Sequence, residues 1–534
     1  MTKTLKQMPL YPFLIAIYPI LYLVSINIGE ITPMAGLRAA LILFTMSLLA
    51  FLFFWLFTKN AQRSALYTLV VLLVFFLIFF ILYAPAYRAL REVIFMGKPL
   101  GRHRNLVAAS LLFLIGTSVL LIIFGKRLKQ KWMNNITLFA NGIAIFLIIV
   151  PLATILYSMA KEKRAISQTS ADLPEITALE ISETTALPDI YYIILDMNTN
   201  ENVMSQLIDY DDSGFTKALE EKGFYVSSCS QSNYNSTRQS LTSSLNLDYL
   251  HNLDISAGES GMYPLLQQSR VRRMLEDIGY TTYAFKTGYS FLDLKTADHY
   301  SDPTRGALNL LTYPGISTFE SLILSVSAGQ VLYENRDSLS TGMQTLIDAP
   351  YMQRRTEIFN VMDSLPEIAK EEGPKFIYAH MLAPHDPFVF DENGDPAFRR
   401  FPFTENGDPE FGAGYGWDAY KKGYADEVTY LHGAIDAMID QILANSETPP
   451  IIILQGDHGI PYTMQFNAEF QILNAYYFPG MDSANLYDTI SPVNSFRLLF
   501  NDYFGTDFSL LEDKSYFTNE DFTFTEFSEV FPCQ

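Results

Sequence analysis

The sequence predicts an α/β domain with a mainly parallel sheet, carried behind a five-helix transmembrane domain. Three observations lead there. Five apolar runs, each of about 20 residues, crowd the N-terminal part of the chain. The charge is split: residues 1–165 hold 17 Lys/Arg and three acids, Glu30, Glu92 and Glu162, for a net +14, while 166–534 hold 20 Lys/Arg and 54 acids, for a net −34. Such asymmetry indicates two parts in different solvents. From Ile190 onward, short β-branched runs alternate with amphipathic ones, as in a parallel sheet covered by helices on both faces.

The apolar runs are 9–28, 35–57, 65–86, 106–124 and 137–158. Ala65–Tyr87 has no charge at all. The first run lacks a small-residue cleavage site and four more follow, so it reads as a retained helix rather than a signal peptide. With the N-terminus inside, the flanking loops carry eight Lys/Arg on either side, and the positive-inside rule leaves the orientation open. Five spans still put the two chain ends on opposite sides. Ionisable residues are nearly absent from the runs. That argues against a transporter and for an anchor or lipid-facing platform. The loop Arg88–Arg104 is basic and contains Val93-Ile94-Phe95-Met96. It suits the headgroup level near anionic lipids, or an ordinary solvated loop.

The organisation is therefore 1–160 as the transmembrane domain, 161–186 as a linker and 187–534 as the folded domain. Lys161–Arg164 is a charged stop, and Ser167–Ala186 is rich in Ser, Thr and acids without periodicity. Ile190–Leu195 reads as a buried strand ending in Asp196. Phe215–Lys222 is helical and stopped by Gly223, and Phe224–Val226 is a strand. Val271–Ile278 is helical before Gly279; Thr281–Phe285 and Phe376–His380 are strands. Phe390–Trp417 is a long Gly/Asp/Phe-rich loop. Tyr424–Ala444 is an amphipathic helix on which His432 is spaced as a packed histidine. Ile451–Leu454 is a further buried strand. The acidic surface excludes nucleic acid as a partner. Cys229 and Cys533 make no disulfide framework and no Cys-x-x-Cys metal site.

Four segments bring chemistry to strand ends. They are Asp196; Ser232-Asn233-Tyr234-Asn235-Ser236-Thr237-Arg238-Gln239-Ser240-Leu241; Ala383-Pro384-His385-Asp386-Pro387-Phe388; and Gly456-Asp457-His458-Gly459. In open α/β sheets ligands bind at the carboxyl ends of the strands. Two Asp, one or two His and a hydroxyl form a donor set for Mn²⁺ or Zn²⁺ with a position left for substrate. Such a cation would make a threonine hydroxyl nucleophilic at neutral pH and offset charge on a phosphoryl oxygen. The alternatives are structural: Asp at a helix cap, His385 shaping a turn between its prolines. Arg238 suits either substrate or one of the many acids. Lys286 and His299 read as a solvated lysine and a loop histidine. His251 and His380 read as structural.

Ile190–Asp196, Asn-Tyr-x-x-Thr-x-x-Ser-Leu, Pro-His-x-Pro-Phe and Gly-Asp-His-Gly occur in an order that resembles the alkaline phosphatase/sulfatase superfamily. The nearest branch is the membrane-anchored enzymes similar to lipoteichoic acid synthase and phosphoethanolamine transferases. Ile490–Arg497 resembles the same group. The resemblance implies an alkaline phosphatase-like α/β/α fold over 187–534. It implies Asp196, Thr237, Asp457 and His458 as ligands of one or two Mn²⁺ or Zn²⁺ ions, and Thr237 as a transiently phosphorylated nucleophile. It implies His385 on the substrate's phosphate or a second metal. It also implies a multi-pass cell-membrane protein with an extracytoplasmic catalytic domain. The chain departs from the pattern twice. Met197 follows Asp196 where many relatives have Gly, and there is no Cys/Ser-x-Pro-x-Arg segment for formylglycine.

The leading expectation is a membrane-bound, metal-dependent phosphotransferase that takes a phosphodiester head group from a phospholipid-type substrate. The alternatives are a membrane-tethered hydrolase of phosphate or sulfate esters and a catalytically silent scaffold of the same fold.

Overall fold

In the computed structural model the apolar runs are helices. The structure describes residues 8–28, 31, 33–90, 93–95, 98–99, 102–127, 129–172, 177–179, 187–253, 255, 259–304, 315–398, 401–404, 416–461, 467–518 and 523–527. The N-terminal helices are α1 (Tyr11–Ile26), α2 (Leu37–Thr58), α3 (Ala61–Phe76, continued by a π-helical turn Leu77–Leu82), α4 (His103–Phe124) and α5 (Gln130–Asp172). Among the described residues, four stretches are long and apolar enough to cross a membrane: Met34–Thr58, Ala61–Leu82, Arg104–Phe124 and Gln130–Lys161. α1, at 16 residues, is shorter than a full crossing. Four full spans and a shorter helix thus stand where the sequence predicts five spans.

Tyr11, Ala65, Ala140 and Ala144 pack together; alanine lets helix backbones approach closely. Asn141 of α5 is 1% exposed. Its Oδ1 accepts the N–H groups of Leu10 (2.9 Å) and Tyr11 (3.0 Å), and its Nδ2 donates to Met8 O (2.9 Å). It therefore caps α1, whose first N–H groups have no partner within the helix. α5 stays helical to Asp172, into the stretch the sequence assigns to a linker. The Ala, Lys, Glu and Arg of 160–165 are good helix formers, and they carry the helix on.

The chain forms two compact units. One is Met1–Ala160 with Ala307–Pro350 and Arg399–Thr404; the other is Lys161–Gly306 with Tyr351–Phe398 and Glu405–Gln534.

In the second unit β1 (Ile190–Leu195), β2 (Tyr225–Val226), β3 (Thr281–Phe285), β4 (His299–Ser301), β5 (Lys375–Met381), β6 (Ile451–Gly456) and β7 (Asn474–Tyr477) form one sheet in the order β2-β7-β6-β1-β5-β3-β4. β6, β1, β5, β3 and β4 run parallel; β7 pairs antiparallel with β6, and β2 antiparallel with β7, so that β2 runs in the direction of the other five. The mainly parallel sheet is as the alternating pattern predicts. β1, β5 and β6 are buried along their whole length, which is why their sequences are continuous apolar runs rather than alternating ones. Leu195 pairs with both Met381 and Gly456. The three central strands therefore end level, and whatever follows them meets at one edge.

Helices α6 (Thr237–Asn246), α7 (Thr341–Ile368), α8 (Trp417–Asn445) and α9 (Pro492–Phe504) complete the elements that shape this edge. Tyr192, Phe376 and Ile453 share a core with Phe496 of α9, and the rings of Tyr192 and Phe496 meet edge to face at 5.1 Å. Arg497 Nε donates to Leu247 O (2.9 Å) at the end of α6, a cation on the carbonyl end of a helix. A separate antiparallel pair, β8 (Ser515–Thr518) and β9 (Phe524–Phe527), follows. Cys229 takes part in a disulfide. Cys533, most of the 173–186 linker and much of the 390–417 loop lie outside the described residues.

Asn141→Ala removes the cap of α1 and leaves buried donors unmet, at a cost of about 1–3 kcal/mol. The expected result is a lower Tm for the detergent-solubilised full chain; an unchanged Tm would mean that these donors find another partner.

Candidate metal centre

Asp196 and Asp457 are both fully buried. Each stands one residue beyond a central strand, β1 or β6, so the level strand ends bring them together. Asp196, Asp457 and His458 present ligand atoms that all lie within 4.8 Å of one another. His458 Nε2 is 3.7 Å from Asp196 Oδ1 and 3.8 Å from Asp457 Oδ2. Its Nδ1 faces Gly459 O at 2.8 Å, which leaves Nε2 for the carboxylates.

The turn after Asp196 is held from outside. Met197 adopts a left-handed backbone, φ 63°, a conformation that favours glycine. A side chain there costs roughly 1–2 kcal/mol, and three contacts hold it. Met197 N donates to Asp457 Oδ1 (3.1 Å), and Tyr424 of α8 donates its hydroxyl to Met197 O (2.8 Å) and accepts Thr199 N–H (3.1 Å). His432, also on α8, bonds Asn198 Oδ1 (3.0 Å) and Asp212 Oδ1 (2.8 Å) and stacks on Phe215. It is packed, as its helical spacing predicts, and it pins the turn. Gly456 and Gly459 are required by close approach. A Cβ at Gly456 would meet Asn198 O at 2.3 Å, and one at Gly459 would meet Ala468 O at 1.9 Å.

Thr237 is the first residue of α6, and its hydroxyl donates to Asp196 Oδ2 at 3.5 Å. Ser236 precedes the helix without capping it, so the first-turn N–H groups face the site side as an anion-binding end. The loop before Thr237 is stitched to the far C-terminus. Asn233 Nδ2 donates to Ser491 Oγ (3.1 Å) and Lys514 O (2.9 Å), and its Oδ1 accepts Val493 N–H (2.8 Å). The Ile490–Arg497 motif thus supports the loop that carries the hydroxyl.

His385 lies in the loop after β5. Arg354 of α7 donates to Leu382 O (3.1 Å) and His385 O (3.5 Å), and Tyr289 meets the imidazole edge-on at 6.5 Å. Arg238 lies over the Phe291 ring at 4.8 Å. Lys286 is not solvated. Its Nζ is 3.2 Å from Glu357 Oε1 and donates to Thr304 Oγ1 at 2.5 Å. His299 stacks on Tyr283 and lines a separate cavity of about 950 Å³ with Asp302, Asp363 and Glu371. His251 stacks on Tyr249 and is structural, as expected.

His380 is the residue that sequence reasoning misplaced. Its side chain is fully buried in β5, with Nε2 3.2 Å from Asp196 Oδ2 but off the line of a hydrogen bond. The available signal was register: an imidazole one residue before the end of an apolar strand belongs beside the neighbouring strand's end.

Electrostatics agree with the geometry. Burial pushes the Asp196 carboxyl up, but His385, then His380 and His458, outweigh it and hold it well below the usual carboxylate range. Burial pushes the His458 imidazole down, and Asp457 and Asp196 outweigh that and raise it. Asp196 Oδ1 and Asp457 Oδ2 are buried without any hydrogen-bond partner. Buried carboxylate oxygens are ordinarily satisfied. Two orphaned oxygens beside an imidazole therefore fit a divalent cation, with Thr237 Oγ1 as a further donor.

The family model described as Sulfatase matches residues 188–491, more than half of the chain, a range that includes Asp196, Thr237, His385, Asp457 and His458. Solved structures with a similar fold include lipooligosaccharide phosphoethanolamine transferase A (EptA) of Neisseria meningitidis, an integral membrane protein, at 12% identity over 92% of this chain and 94% of that one, with a TM-score of 0.40. They include the C-terminal periplasmic domain of EptC from Escherichia coli in complex with Zn, at 13% identity over 62% of this chain and 87% of that one, TM-score 0.39. The 2-O GAG sulfatase BT1596 is similar at 12% identity over 60% of this chain and 72% of that one, TM-score 0.35. No curated protein sequence matches the chain.

His380→Gln is expected to lower the affinity of the full chain for Zn²⁺ by roughly 10–100-fold, the effect of losing a group that orients a ligand. Unchanged affinity in a metal titration would reduce His380 to packing.

Proposed function

This chain belongs to the sulfatase family, and on that premise we propose that it is a membrane-bound, metal-dependent phosphotransferase. Its substrate is a phospholipid-type phosphodiester, and its intermediate is phosphothreonine at Thr237. One observation supports this above the others: a hydroxyl at the uncapped N-terminus of α6 points at a buried carboxylate whose other oxygen has no partner.

Asp196, Asp457 and His458 would hold one cation, Mn²⁺ or Zn²⁺, with Thr237 Oγ1. When bound, such a cation lowers the pKa of the threonine hydroxyl and offsets charge on a phosphoryl oxygen. Thr237 is aligned by Asp196, and the N–H groups of the first turn of α6 receive the phosphoryl oxygens. The Oγ–P bond forms as the P–O bond to the leaving alcohol breaks. The threonine proton is lost and the alcohol leaves protonated. His385, held by Arg354, binds the phosphate, and Arg238 at the helix start contributes positive charge. An acceptor hydroxyl from a sugar, glycerol phosphate or water then takes the phosphoryl group and frees Thr237.

In this reading residues 1–160 anchor the protein through five spans with α1 counted among them, 161–186 link, and 187–534 catalyse outside the cytoplasm. The disulfide at Cys229 supports that side, since disulfides persist in oxidising compartments. It also supports phosphoryl over sulfuryl chemistry, because Cys229 is not a thiol that could become formylglycine. The family itself favours a second reading, a hydrolase of phosphate or sulfate esters with water as the acceptor.

The test is the intact mass of the full chain in detergent after incubation with Mn²⁺ and phosphatidylglycerol or phosphatidylethanolamine, beside Thr237→Ala. The expected result is an adduct on the wild type that maps to Thr237 and is absent from the variant. No adduct, with metal bound, would replace the transferase with the hydrolase. No adduct and no bound metal would leave a silent scaffold.

A further inference from the structure

Residues 316–333 belong to the chain that follows β4, yet they fold with the N-terminal helices. This stretch of 18 residues contains one charged side chain, Glu320, and Glu334, which ends its second helix, follows it directly. It forms two short helices, Thr318–Ser325 and Gln330–Glu334. Phe319, 2% exposed, and Ile323 pack in one cluster with Ile20 and Val24 of α1, Ala39 of α2 and Ile155 of α5. The packing is tight: a Cβ at Gly36 would lie 2.7 Å from Val24 and 3.4 Å from Phe319. Ala328 N donates to Phe79 O (3.0 Å), inside the π-helical turn that ends α3.

The contacted residues measure how far the hairpin reaches along the apolar helices. Ile20 is six residues before the end of α1 at Ile26, and Ile155 is six residues before the end of the apolar stretch at Lys161. At 1.5 Å rise per residue each is about 9 Å inside the end of its apolar stretch. Phe79 is three residues before Leu82 and Arg38 four after Met34, or about 4–6 Å inside. Four helices thus agree, and a segment that touches all four at those levels lies within the bounds of their apolar stretches.

The polar groups of the hairpin are satisfied as such a location demands. Ser317 and Glu320 form a reciprocal capping box, with Glu320 Oε2 accepting Ser317 N–H (2.9 Å) and Ser317 Oγ accepting Glu320 N–H (3.2 Å). Arg38 pairs with the same carboxylate, through Nε to Oε1 at 2.6 Å and through Nη2, and donates to Gly315 O (2.8 Å). Val326, at the tip between the two helices, is 52% exposed.

We propose that residues 316–333 are a membrane-inserted hairpin whose partner is the lipid of the bilayer leaflet on the catalytic side. The Val326 tip contacts acyl chains at the headgroup boundary, and the Arg38–Glu320 pair closes the entry of the segment into that layer. The depth of about 5–10 Å is that of interfacial helices on membranes. The inference rests on the apolar N-terminal helices spanning a bilayer.

The test is spin-label accessibility of the full chain in vesicles of phosphatidylglycerol and phosphatidylethanolamine. Labels are placed by Val326→Cys, by Phe113→Cys on the exposed face of α4, and by Leu510→Cys on the exposed surface of the second unit. The expected result is a ratio of oxygen to nickel-chelate accessibility at 326 several-fold above that at 510, approaching that at 113. A lipid-like value at 113 with equal ratios at 326 and 510 would overturn the hairpin alone. Water-like values at 113 and 326 would overturn the membrane reading and the hairpin with it.

Discussion

Two carboxylates buried against each other at the ends of adjacent strands are the constraint on which the second unit depends. Asp196 and Asp457 have ligand atoms within 4.8 Å of each other and no exposure to bulk solvent. At an effective dielectric of about 20, two such charges repel by roughly 3–4 kcal/mol. The fold answers with imidazoles: His458 between the carboxylates, His380 behind Asp196, and His385 across the site. That answer is incomplete, because one oxygen of each carboxylate still has no partner. A fold that maintains such a deficit at its centre is shaped to receive positive charge.

The level ends of β1, β5 and β6 explain why the groups converge, but not why they hold their positions. That is the work of distant chain. Tyr424 and His432, one helical face apart on α8, fasten Met197, Asn198 and Thr199. Asn233 ties the loop before Thr237 to residues 491, 493 and 514. Gly456 and Gly459 admit the backbone of Asn198 and Ala468 where any side chain would push them away. Each fastening is a hydrogen bond between buried groups, and such bonds are costly to leave unmade.

The first unit follows the same rule in a different solvent. Among apolar helices an unmet polar group has no water to turn to, so Asn141 caps α1, and Arg38 and Glu320 neutralise each other beside the hairpin. The long-range partners lie 130 and 282 residues apart in the chain. Nothing local in either sequence neighbourhood identifies them.

Much of the fold was legible because it depends on local pattern. Continuous β-branched runs mark strands buried on both faces, and Ile190–Leu195 and Ile451–Gly456 are such strands. Spacing along Tyr424–Ala444 marks a packed His432. Motif order picks out Asp196 and Asp457-His458, which follow strand ends directly, whereas Thr237 opens α6 and His385 lies in the loop after β5. What escaped the sequence was relational. His380 looks like any histidine in a strand until register sets it beside Asp196. Lys286 looks solvated until Glu357, 71 residues away, pairs with it. Residues 316–333 are too short to read as a span, and only packing reveals their company. The sequence by itself determined which segments are helices, strands and apolar spans, because those follow from side-chain period and hydropathy within a few turns. Only the tertiary structure decided which charges share a site and which segment packs among the apolar helices, because those depend on distances between residues that the chain order does not constrain.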